Sequence, residues 1–145
     1  MAPKVKPTKI ADKEGSISAA KESATRSASE LINFSFKYLR EEHEKFPCFH
    51  EDHGYYFELV RRIKAISTLK LIELMTNRSS ALRMHPIKWS DTSENSFGIP
   101  AEEQIVDTPY QLSLTANEYG RLHGFFISNT FYVVWFDKHH ALYSG

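Results

Sequence analysis

Gly120-Arg-Leu-His-Gly-Phe-Phe-Ile127 and Thr130-Phe-Tyr-Val-Val-Trp-Phe-Asp137, separated by Ser128-Asn129, form the densest aromatic and β-branched block in the chain. Such residues favour a pleated, half-buried surface, and a two-residue polar spacer favours a hairpin. The stretch therefore predicts two antiparallel strands, with Tyr110 to Thr115 as a third before them. A two-residue turn pairs Ile127 with Thr130 and sets Phe126 opposite Phe131, Gly124 opposite Val133 and Leu122 opposite Trp135, an entirely apolar face. The other face carries Arg121, His123, Phe125, Tyr132, Val134 and Phe136. A loop over Ala116 to Gly120 pairs Thr115 with Arg121 and Ser113 with His123, which sends Tyr110, Leu112 and Leu114 to the apolar face. It also gathers Gln111, Ser113 and Thr115 beside Arg121 and His123.

Outward from this block, Ile32, Phe34, Phe36 and Tyr38 alternate with polar residues and predict a first strand. Phe46-Pro-Cys-Phe49 breaks regular structure and reads as a loop with aromatic anchors. Asp52 stands where a helix cap belongs, ahead of Tyr55 to Ile66, whose Tyr56, Leu59, Val60, Ile63 and Ile66 recur at helical spacing. A second short helix is expected over Leu69 to Met75. In Leu82 to Trp89, Pro86 demotes a possible strand to the sheet edge. Ser90 to Pro109 is long for a structureless connection, and such loops serve as lids or partner surfaces.

The expected class is α+β: an antiparallel sheet of about four to five strands packed on two helices from the N-terminal half. Residues 29–145 form its single domain. Residues 1–28, rich in Lys, Ser and Ala, bury too little to offset their ordering entropy and read as a flexible tail, with a transient helix over Ala19 to Leu31. The 145 residues include 18 basic and 18 acidic side chains, so no global positive field draws phosphate non-specifically. No run of apolar residues is long enough to cross a bilayer, and the single cysteine, Cys48, cannot form an internal disulfide, so a reducing cytoplasm is the expected compartment.

Two constellations suggest chemistry. His50-Glu-Asp-His53 offers imidazoles and carboxylates, but it reads better as a solvated helix cap than as a metal site. The second is the polar face of the closing sheet with the tail Lys138-His139-His140-Ala-Leu-Tyr143. There imidazole and phenol can move protons while Arg121 stabilises an oxyanion or phosphate. Adjacent His139 and His140 point apart if extended, so one of them faces the site. His140 is preferred because Asp137, three residues earlier, can orient it. The plainer alternative is that Asp137 and the histidines only end a strand.

Gly120-Arg-Leu-His-Gly-Phe-Phe-Ile, Val-Trp-Phe-Asp-Lys-His-His-Ala-Leu-Tyr and His85-Pro-Ile-Lys-Trp89 together resemble a set of small bacterial proteins of unassigned function, over about residues 31–143. Two helices followed by an antiparallel meander, with an inner-strand Arg and a terminal His and Tyr, is similar to the RelE/ParE-like toxin superfamily. The resemblance implies a small endoribonuclease of a toxin-antitoxin or phage-defence setting that needs no metal or other cofactor, with RNA as substrate and a protein antitoxin as partner. It implies catalytic roles for Arg121, His123, His140 and Tyr143, and substrate binding by Arg83, His85 and Lys88; Ser113, on the polar face, is a further candidate for substrate binding. Two other functions compete. One is a non-catalytic binding module or accessory subunit of a toxin-antitoxin or defence complex, presenting the sheet face of Phe125, Tyr132 and Phe136 or the acidic Ser90 to Pro109 loop to a protein; the other is a metal-dependent hydrolase using His50, His53, His139 or His140.

Overall fold

The computed structural model describes residues 22, 25–76, 84–114 and 120–143. Its strands are β1 (Asn33–Ser35), β2 (Met84–Pro86), β3 (Pro109–Ser113), β4 (Arg121–Ile127) and β5 (Thr130–Asp137). The helices are α1 (His53–Ser67), α2 (Leu71–Thr76) and the single turn α3 (Glu102–Ile105), with a 3-10 turn at Trp89–Asp91. The strands make one five-stranded sheet in the order β1-β5-β4-β3-β2. The class is α+β, but the sheet is mixed: β1 runs parallel to β5 while the other three pairings are antiparallel. Residues 25–29, inside the helix expected over Ala19 to Leu31, are helical; the first 21 residues of the expected tail lie outside the described residues.

The β4–β5 hairpin turns at Ser128-Asn129, with Ser128 at φ 54°. Asn129 explains the parallel edge. Its Nδ2 donates to Leu31 O at 2.7 Å and its carbonyl accepts from Asn33 N at 3.0 Å, so the hairpin tip holds the incoming chain alongside β5. Pro86, which cannot donate to a ladder, sits in the edge strand β2 as expected.

Two registers differ from the sequence expectation. Ser113 pairs with Arg121 and Gln111 with His123, two residues from the expected alignment. A shift of two preserves parity, so Tyr110, Leu112 and Leu114 still face the helices. Thr115 lies outside the described residues. The second difference changes faces. The β4–β5 ladder shifts between His123 and Gly124, so Gly124 pairs with Val133 but His123 pairs with Trp135 and Leu122 with Phe136. Val134 is the extra residue of a bulge, which sends Trp135 to the face opposite the helices and Phe136 to the helix face. Gly124 makes it possible, because a Cβ there would lie 2.0 Å from Tyr132 O and 2.9 Å from Phe131 Cζ.

The sheet is buried on both sides. On one side Tyr55, Leu59 and Ile66 of α1, Leu74 of α2 and Ile32 pack against Leu112, Leu122, Phe131, Val133 and Phe136. Asp52 caps α1, its Oδ1 accepting from Tyr55 N at 3.1 Å. Val60, expected in the core, is 64% exposed, whereas Tyr55, just before the expected periodic set, is fully buried. On the other side Phe46, Ile87, Phe97, Ile99, Ile105 and Leu142 cover Phe125, Tyr132, Val134 and Trp135. The connection from Ser90 to Pro109 is therefore a third layer rather than a free lid. Glu102 organises it by accepting from the backbone N–H groups of Phe97, Gly98 and Ile99 at 2.9, 2.9 and 3.3 Å. Among the described residues no helix is long and apolar enough to cross a membrane.

Candidate functional site

Across the second face runs a polar row set by the ladder: His85 beside Gln111, Gln111 beside His123, and His123 beside Trp135. Gln111 Nε2 lies 3.0 Å from His85 Nε2, and His123 Nε2 lies 2.9 Å from Asp137 Oδ2. His123 is 0% exposed and Asp137 2%. Burial pushes the His123 pKa below the ordinary range against the opposing pull of Asp137, so the imidazole is neutral and donates from Nε2. Burial alone would raise the Asp137 pKa, but donors from His123, Ala141 N and Leu142 N hold it below the ordinary carboxylate value.

Those last two bonds, at 2.6 and 3.0 Å, tie the chain after β5 into a tight turn over the sheet end. His140 sits within that turn at φ 57°. Ser93 closes it from the other side, donating N–H to Leu142 O at 2.8 Å and Oγ–H to Ala141 O at 3.3 Å.

A cleft of about 180 Å³ opens at this end, lined by Gln111, Arg121, Asp137, His140 and Tyr143. Sites for drug-sized ligands occupy ~300–1,000 Å³, so this one accommodates a single functional group such as a phosphoryl group. Arg121, at the start of β4, donates from Nη1 to Gly120 O at 3.1 Å. His140 is the exposed imidazole of the cleft. Partial burial, then the nearby Arg121 charge, lower its pKa, leaving it neutral and able to accept a proton at neutral pH. Burial raises the Tyr143 pKa against a smaller opposing pull from the Lys88 backbone, so the phenol keeps its proton.

The structure thus brings Arg121, His140 and Tyr143 together. Ser113 pairs with Arg121 in the ladder, and Lys88 meets Tyr143 through its backbone. His85 reaches the cleft through Gln111. His123, expected to act on substrate, is fully buried and touches Asp137 instead, so it cannot contact a ligand. Asp137 does not orient the His140 ring by a hydrogen bond; it holds His123 and the backbone at Ala141 and Leu142. Arg83 lies outside the described residues. His139 turns away, its ring 5.9 Å from that of His50. Among the described residues no group of three or more His, Cys, Asp or Glu side chains is placed to hold a metal ion.

Gln111 was legible as a member of the polar face but not as a wall of the cleft, because its tie to His85 depends on β2 joining the edge of β3 in that register. The apolar face expected to greet a partner is closed: Phe125, Tyr132 and Phe136 are 0%, 4% and 7% exposed. No family model, curated protein or solved structure matches the chain.

Proposed function

We propose that the protein is a RelE-like toxin or phage-defence protein, a metal-independent endoribonuclease acting on RNA in the cytoplasm and held in check by a protein antitoxin. The observation supporting this reading is the convergence of one guanidinium, one accessible neutral imidazole and one phenol on a cleft sized for a phosphoryl group. His140 takes the proton of a ribose 2′-hydroxyl as its oxygen bonds to phosphorus. Arg121 stabilises the charge gathering on the phosphoryl oxygens, and Tyr143 gives its proton to the departing 5′-oxygen as the P–O5′ bond breaks. The products are a 2′,3′-cyclic phosphate and a 5′-hydroxyl.

The test compares wild type, Arg121→Ala and His140→Ala for growth toxicity and for cleavage of RNA with end-group mapping. Equal behaviour of all three sinks the reading. A non-catalytic binding role draws support from a different surface than the sequence suggested: Phe57 and Val60 on α1, and Ile72 and Met75 on α2, are 63%, 64%, 49% and 42% exposed. A helix face of that kind suits an antitoxin or another protein partner.

A further inference from the structure

A second cleft, of about 380 Å³, shares no lining residue with the first and is lined by Lys37, Tyr38, Arg40, Gly98, Ile99 and Pro100 among others. Its position follows from the bulge. Val134 O, at the extra residue of β5, accepts from Arg40 N at 2.9 Å and so fixes the chain just after β1. The Arg40 side chain then runs to the third layer, where Nη1 donates to Phe97 O at 3.0 Å. Gly98 leaves room for it: a Cβ there would lie 2.8 Å from that nitrogen, and the φ of +74° already disfavours any side chain. Tyr38 packs at 5.7 and 5.5 Å from the rings of Phe125 and Tyr132, so its ring is held in place. The Lys37 ammonium lies 5.2 Å from the centre of that ring.

The chemistry of this cleft is one-sided. Arg40 is half-buried, yet no carboxylate of the described residues pairs with it, and none lines the cleft. A guanidinium held by one neutral carbonyl keeps N–H donors in the fork geometry that suits phosphate oxygens. The tyrosine beside it already carries one cation over its ring, the Lys37 ammonium, and a flat base would take that place on the π-face. The volume, unlike that of the Arg121 cleft, lies within the range that holds a whole small ligand.

We propose that this cleft binds a nucleoside phosphate, with Arg40 on the phosphate and the base against Tyr38. The proposal deepens the RNA reading and rests on it for its biological ligand, since the same chemistry is presented by a free mononucleotide and by one nucleotide unit of a single strand. On that reading the cleft holds substrate outside the Arg121 cleft, where the bond is cut.

The test is an NMR titration of the intact protein with adenosine 5′-monophosphate, inorganic phosphate and a short single-stranded RNA, repeated on Arg40→Gln. The mononucleotide should move the Gly98 amide, the Arg40 Nε–H and the Tyr38 ring signals. Inorganic phosphate should move the first two at least tenfold more weakly, and Arg40→Gln, with an otherwise native spectrum, should abolish the response. For the RNA, loss of one phosphate contact should reduce the slope of log affinity against log salt by ~0.7. The proposal is overturned if the mononucleotide leaves these signals unmoved, if phosphate alone binds as tightly, or if Arg40→Gln binds like wild type. Mononucleotide binding here without any RNA cleavage would uphold this site and remove the endoribonuclease. Cleavage in which RNA leaves Tyr38 and Arg40 unperturbed would do the reverse.

Discussion

His123 Nε2 donates to Asp137 Oδ2 at 2.9 Å where the two side chains are 0% and 2% exposed, and the same carboxylate accepts from Ala141 N and Leu142 N. One buried anion therefore joins strands β4 and β5 to the turn that carries His140 and Tyr143. Removing the carboxylate leaves the neutral imidazole and two backbone N–H groups without their acceptor, at ~1–3 kcal/mol for each buried donor left unpaired. Asp137→Ala should lower stability accordingly in urea unfolding. Asp137→Asn, whose single amide oxygen can replace only one of the two carboxylate oxygens, keeps part of this bonding and should lose less. Equal stability of Asp137→Ala and wild type would show that the turn is held by other contacts.

The same pair sets a pH dependence. The folded His123 pKa lies below the ordinary 6.5, so the unfolded chain binds the proton more tightly, and the stability it contributes is full above 6.5 and lost as pH falls toward the folded value. The folded Asp137 pKa lies below 3.8, so its contribution is present above 3.8 and lost as pH falls through the folded value. Both losses have the same sign, and unfolding free energy measured against pH should decline first below 6.5 and again in the carboxylate range. His123→Gln should shrink the upper decline, to which the lowered pKa values of His43, His50 and His140 also contribute, and spare the lower one. A wild-type curve flat from pH 6.5 to 4 would contradict a buried neutral imidazole.

Cleavage should follow the protonation of His140. Its pKa is lowered by partial burial and then by the Arg121 charge, so activity should persist below pH 6.5 and fall away only as the imidazole gains its proton. Removing the cation in Arg121→Gln should move that acid limb upward in pH as well as slow the reaction. General acid or base groups contribute ~10²–10⁴ in rate, so His140→Gln should cost that much while His139→Gln should cost little. Tyr143→Phe should remove the alkaline limb, which lies above pH 10 because burial raises the phenol pKa. An acid limb unchanged by Arg121→Gln would separate the two residues electrostatically.

Gly120, just before β4, and Gly124, within it, should be far less replaceable than their sequence neighbours. A Cβ at Gly120, with φ +74°, would lie 2.0 Å from Asp137 O, and one at Gly124 would lie 2.0 Å from Tyr132 O. Overpacking costs ~1–3 kcal/mol, and a strained left-handed residue costs a similar amount. Gly124→Ala should therefore destabilise by about 1–3 kcal/mol and Gly120→Ala by more, read as falls in Tm. Gly124→Ala should also disturb the Arg40 amide signal, because the bulge it permits carries the acceptor of Arg40 N.

These glycines mark the boundary of what the sequence reveals. The Asp52 cap, the hairpin turn, the edge position of Pro86 and the face of β3 follow from local chemistry or from a period of two, which survives a register shift of two. The bulge does not survive that reasoning: one extra residue at Val134 reverses Trp135 and Phe136, and Gly124 inside a strand was the only local sign of it. Burial of the second face was hidden for another reason. Phe46, Phe97, Ile99 and Ile105 come from irregular segments and show no period, so nothing local says that they close over His123. That Arg121, His140 and Tyr143 line one cleft was legible because they flank the strand ends. The placement of Arg40 was not, because it depends on a carbonyl 57 positions away.

The third layer is itself testable, because two phenylalanines three positions apart differ in burial. Phe46 is 0% exposed and stacks on Trp135 with ring centroids 4.5 Å apart, while Phe49 is 78% exposed. Truncating a buried phenylalanine costs ~3–5 kcal/mol through lost transfer energy and the cavity left behind, while an exposed one stays within ~0.5 kcal/mol. Phe46→Ala should thus unfold at markedly lower urea and uncover the Trp135 indole, seen as a red-shifted emission. Phe49→Ala should match wild type in both readouts. If Phe46→Ala changed neither stability nor emission, the irregular segment would be a loose cover rather than part of the core, and His123 would be open to solvent after all.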